Sequence, residues 1–170
     1  QKMQNFELVG RLAAFLWRSV PDQRLFSLAS RDRPITDPEL SAEVKRMLAD
    51  SRSDRFISDF TSSWAGFSKF EQIAINPNYY RWWNPKYKDY MKLEPAEFLK
   101  TLLRENLSCL NCLSSDFMVI NDVMAKYYGA PLPASGHRFS KVPAIEGRGG
   151  ILTQAAFLLA HSDGEDAHAV

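Results

Sequence analysis

In the stretch NFELVGRLAAFLWRSV, Phe6, Val9, Ala13, Leu16 and Trp17 recur at three- and four-residue intervals, the spacing of one face of a helix. A second apolar set, Leu8, Leu12 and Phe15, leaves only Glu7, Arg11 and Arg18 as a polar stripe. That pattern predicts a helix buried on most sides and central to the fold. Pro21 admits a new first turn, and Leu25, Leu28 and Ala29 fall on one side of a short second helix. Thr36 and Glu39 have the spacing of a capping box ahead of Leu40, Val44, Met47 and Leu48, which predicts a third helix. Phe56, Ile57, Phe60, Trp64 and Phe67 carry the same periodicity into a fourth.

The helical spacing breaks at INPNYYRWWNPKYKDY, where Pro77 and Pro85 bracket an aromatic segment and disfavour helix at the residue before each. From Lys86 the positions Tyr87, Tyr90, Met91, Phe98, Leu99 and Leu102 resume an amphipathic helix. Pro95 removes a backbone donor inside it, which predicts a kink or a split near Leu93. Asn121 can cap a helix carrying Val123, Met124 and Tyr127 that ends at Gly129, with Pro131 just beyond. Residues 130–148 read as loop with a short strand near Arg138 to Val142, and a last helix runs from about Ile151 to Ala160. The sum is an all-α fold, an irregular multi-helix bundle with a long loop before its last helix.

Composition narrows the classes. Of the 170 residues, 45% are hydrophobic, enough for one core of ordinary size and a small appendage. Lys and Arg number 21 against 20 for Asp and Glu, so no net positive field draws the chain to nucleic acid. No apolar run approaches the roughly 20 residues that cross a bilayer, which argues against membrane insertion. The first residue is Gln and the last stretch, HSDGEDAHAV, has no terminal cap, which gives the expectation of a piece of a longer polypeptide.

Four features bear candidate chemistry. Cys109 and Cys112 form a C-x-x-C pair in SCLNCLSSD. Covalent haem needs a His directly after the second Cys, and Leu113 stands there. Zinc needs four ligands, and a thioredoxin-like pair belongs after a strand in an alternating β-α pattern; neither context is met. A disulfide or two small buried side chains remain, with Leu110 and Leu113 favouring burial. Second, His161, Asp163, Glu165, Asp166 and His168 crowd the last stretch as a candidate polar site, although they miss the calcium-loop spacing and read more simply as an exposed turn. Third, Gly147, Gly149 and Gly150 around Arg148 suggest a tight turn and close packing ahead of an anion site. Fourth, Tyr79, Tyr80, Trp82 and Trp83 are a candidate partner or glycan surface, since rings that do not fill core offer flat area with a polar tip. No nucleophile motif is present, so an enzyme is not expected; His137, His161 or Asp163 would be the polar centre of one.

The stretches FELVGRLAAFLWRSVPDQRLFSLA, EVKRMLADSRSDRFISDFTSSW and DFMVINDVMAKYYG, followed by RGGILTQAAFLLAHSDGEDAHAV, resemble the planctomycete-type domains of unknown function found in large secreted proteins that also carry cytochrome c modules. The resemblance implies a helical domain over residues 1–129 and, over 130–170, the loop and helix that begin the domain after it, packed on the first. It further implies a periplasmic or secreted protein connected with electron transfer. Haem c would lie elsewhere in the full-length protein and no cofactor in this chain. Partners would be other domains of the same polypeptide, or a redox protein or glycan. No catalytic residue comes with the resemblance, and the cysteine pair and the density of Trp and Tyr at 79–90 depart from it. In an exported protein Cys109 and Cys112 would be bonded to each other. The function expected is that of a noncatalytic module that packs against and positions a haem c domain; the alternative is a carbohydrate-binding or carbohydrate-processing module built on the aromatic segment.

Overall fold

The computed structural model describes residues 2–76, 78, 80–81 and 83–162. Among the described residues are seven α-helices: α1 (Lys2–Trp17), α2 (Gln23–Ala29), α3 (Asp37–Ala49), α4 (Asp54–Trp64), α5 (Lys86–Arg104), α6 (Asp122–Tyr128) and α7 (Ala155–Ala160). Strands β1 (Phe117–Ile120) and β2 (Ser140–Pro143) pair antiparallel, with Phe117 opposite Pro143 and Ile120 opposite Ser140. The fold class is the all-α one that the periodicity predicts. The chain separates into two compact units, Gln1–Asp59 and Phe60–Val170.

In the first unit α1 buries Val9, Ala13, Leu16 and Trp17 with Leu25 and Ala29 of α2 and Met47 of α3. The Trp17 indole N–H donates to the Met47 carbonyl at 3.0 Å, and the Arg52 guanidinium lies 3.4 Å from its ring centroid. Buried Asn5 donates to the Arg33 carbonyl at 2.8 Å and accepts from the Ile35 amide at 3.3 Å, which ties the loop before α3 to α1. The Glu39 carboxylate accepts from the Thr36 amide at 3.0 Å, as the capping-box spacing predicts. One expectation fails here. In the second apolar set of α1 Leu12 packs against the core, but Leu8 is exposed and Phe15 is 63% exposed, meeting only the edge of the core through Phe56 at 4.7 Å. A unit of this size has too few elements to cover two faces of a helix, so α1 is one-sided.

In the second unit α5 runs unbroken through Pro95 and buries Met91, Glu94, Pro95, Phe98 and Leu102. The predicted split does not occur, because burial of the proline ring with its neighbours offsets the missing backbone bond. Met91 joins Met118, Ile120, Met124, Ala125, Ala155 and Ala156 in one core cluster, while Phe98, Leu102, Phe117, Val119 and Ile151 make another. Strand β1 is buried at all four positions and went unread in the sequence, since a continuous apolar run carries no strand periodicity. Its partner β2 falls where a strand was expected, and its exposure alternates along its length.

Asn121 caps α6 by accepting from the Met124 amide at 2.9 Å, and Gly129 ends it with a left-handed φ of 67°. The predicted last helix divides into a 3-10 turn at Ile151–Thr153 and α7, because Gln154 between them is extended.

Candidate functional site

Glu94 is the feature of the second unit that apolar packing does not explain. It lies on α5 three residues after Met91 and four before Phe98, both buried, so the helix period carries a carboxyl into the core with 1% exposure. The Tyr128 hydroxyl, from the last turn of α6, donates to Glu94 Oε2 at 2.7 Å. The same hydroxyl accepts from the Ala155 amide at 2.7 Å, so the acid on α5, the phenol on α6 and the first turn of α7 form one chain of hydrogen bonds. The Arg148 guanidinium lies 4.8 Å from the centroid of the Tyr128 ring, and its Nη1 donates to the Thr153 carbonyl.

Loss of water drives the Glu94 carboxyl up to about 8, against which the Tyr128 hydrogen bond and the positive charge of Arg148 pull only in part. Burial and the neighbouring acid push the Tyr128 hydroxyl well above the ordinary phenol range. At neutral pH both groups therefore hold their protons. Two buried weak acids in hydrogen-bond contact can hold a proton and fasten three helices.

The cysteines occupy a 3-10 turn, Cys109–Cys112, between α5 and β1, where the Ser108 hydroxyl accepts from the Leu110 amide at 3.3 Å. Both carry free thiols, Cys109 exposed and Cys112 half-buried. Burial, and after it the neighbouring Cys109, pushes the Cys112 thiol up, the opposite of what a reactive thiolate needs. The expected burial of the pair with Leu110 and Leu113 does not hold, because those leucines are 68% and 60% exposed. The turn meets the rest of the unit through its backbone. A Cβ on Gly150 would lie 2.8 Å from the Cys112 carbonyl oxygen, and one on Gly149 would lie 2.1 Å from that of Ser115. The glycines thus serve the close packing that the sequence suggests.

Of the aromatic candidates, Tyr80 and Trp83 are half-buried, and Trp83 packs on the core edge-on to Tyr87 with centroids 5.9 Å apart. Tyr79 and Trp82 lie outside the described residues. After α7, His161 Nδ1 is 2.8 Å from the Phe157 carbonyl and its ring lies tilted against that of Phe157, centroids 4.4 Å apart. Asp163, Glu165, Asp166 and His168 lie outside the described residues. His137, largely exposed, pairs through Nδ1 with Asp122 Oδ1 at 2.8 Å. Among the described residues no three His, Cys, Asp or Glu side chains come together as a group able to hold a metal. No helix among them is long and apolar enough to cross a membrane.

Sequence reasoning passed over Glu94, Tyr128 and Gln154. The signal for Glu94 was available, since a Glu at the spacing of Met91, Phe98 and Leu102 occupies an apolar register. Tyr128 and Gln154 carry no comparable signal.

Fold and site together define a helical domain whose buried polar centre is a carboxyl and a phenol joining three helices. The chain belongs to the family described as PSD4, protein of unknown function (DUF1592), whose model matches residues 3–130. No curated protein and no solved structure matches it.

Proposed function

We propose that this chain is a noncatalytic helical module of a larger exported protein, periplasmic or secreted, that packs against a haem c domain of the same polypeptide and positions it for electron transfer. The observation that carries the reading is the outward apolar surface of α1, where Leu8 and Phe15 stand exposed. An exposed face of that kind favours a covering partner. The resemblance to domains that accompany cytochrome c modules supplies the identity of the partner and the compartment. The buried acid and phenol fit the same reading, since they join helices.

The test uses the full-length polypeptide. Its visible spectrum should carry the bands of a thioether-linked haem, while this chain alone should be colourless, with Leu113 in place of the axial His. Phe15→Glu gives up the ring contact with Phe56 and should cost the isolated chain about 1 kcal/mol, yet increase protease cleavage between domains of the full-length protein. A full-length protein without haem, or a Phe15→Glu variant cleaved like the parent, overturns the proposal.

A further inference from the structure

Beside Glu94 the second unit has a small cavity of about 10 Å³, lined by Glu94, Phe98, Gly149, Gly150, Thr153 and Gln154 among others. That is the room of one water molecule. Most polar groups at its wall already have partners. The Gly149 amide donates to Thr153 Oγ1 at 2.9 Å, and that hydroxyl donates to the Gly150 carbonyl at 3.1 Å. Gln154 differs, being 95% buried by the 5% exposure of the residue, with an Oε1 that no donor among the described residues reaches. An acceptor left unpaired in a core loses its hydration with nothing to offset it. Glu94 has the complementary deficit. Its Oε2 accepts from Tyr128, and among the described residues no hydrogen bond is made by its other oxygen, where the neutral carboxyl would hold its proton.

We infer that the cavity is a binding site for a single water molecule, which accepts the Glu94 proton in a hydrogen bond and donates to Gln154 Oε1. The water joins α5 to the residue that starts α7 and completes the chain running through Tyr128 and Ala155. A metal cation is the poorer occupant, because Glu94 keeps its proton and the space does not admit the six or more oxygens that the larger cations require. Gly149 and Gly150 shape the site, as their close approach to the backbone of residues 112–115 closes the wall that a side chain would displace.

A crystal structure of the chain at high resolution should show one density peak within hydrogen-bond distance of Gln154 Oε1 and of the Glu94 carboxyl, and crystals soaked in rubidium chloride should give no anomalous signal there. A dry cavity, or a rubidium peak marking a cation, overturns the inference. Urea unfolding gives an independent check. With the water in place, Gln154→Leu strands the Glu94 proton and lowers the folding equilibrium constant about tenfold or more. With a dry cavity the same substitution removes an orphaned acceptor and raises the constant, which also overturns the proposal.

Discussion

Glu94→Gln isolates the cost of burying an acid. In the unfolded chain this carboxyl titrates near 4.5, and in the fold its proton is held up to about 8. Between those values the folded state binds a proton that the unfolded state has released, so stability falls as pH rises, by ~1.4 kcal/mol for each pH unit. The contribution is complete below pH 4.5 and gone above 8, a loss on the order of 5 kcal/mol out of the 5–15 kcal/mol of a typical domain. A glutamine has no proton to lose; its carbonyl can accept from Tyr128 and its amide can donate into the cavity. Urea unfolding of parent and variant, followed by circular dichroism at pH 5, 6, 7 and 8, should show near equality at pH 5. By pH 8 the variant should be ahead by roughly 3–4 kcal/mol. Other titrating groups are common to both proteins and cancel in the difference. A gap that stays below about 1 kcal/mol across the range would refute the argument and show that Glu94 is ionised in the fold.

Tyr128→Phe removes the donor to Glu94 and the acceptor of the Ala155 amide, and thermal melting should show a loss of about 2–3 kcal/mol with the pH slope retained. Gly149→Ala brings a methyl within 2.1 Å of the Ser115 carbonyl oxygen at a φ of 141°; it should destabilise by more than about 2 kcal/mol, whereas Gly136→Ala, with open space around it, should cost only the ~1–2 kcal/mol of a left-handed side chain. Asn121→Ala strips the cap of α6 and the bond to the His137 carbonyl, an expected loss of about 2 kcal/mol by denaturant titration. Alkylation under native conditions should label Cys109 well before Cys112, in keeping with their exposure; equal rates would contradict the geometry of the turn.

Helix period and capping chemistry are local, and they were legible. Thr36 with Glu39, Asn121 before Met124 and Gly129 after Tyr128 all act within four residues of themselves, where the chain alone sets the geometry. The glycines before Ile151 announced a close approach without naming what comes close; the backbone of residues 112–115 answers that across some 35 residues of sequence. Tertiary structure alone decided which of two apolar faces of α1 finds a partner, because both have helical spacing and only the number of packed neighbours separates them. It likewise made FMVI a strand, since a buried run looks the same in either element until a second strand meets it. The candidate site shows the division most sharply. That Glu94 lies in an apolar register could be read from the sequence. That it keeps a proton there follows from its removal from bulk solvent, against the pull of a phenol 34 residues away, and solvation of a buried acid is a property of everything packed against it.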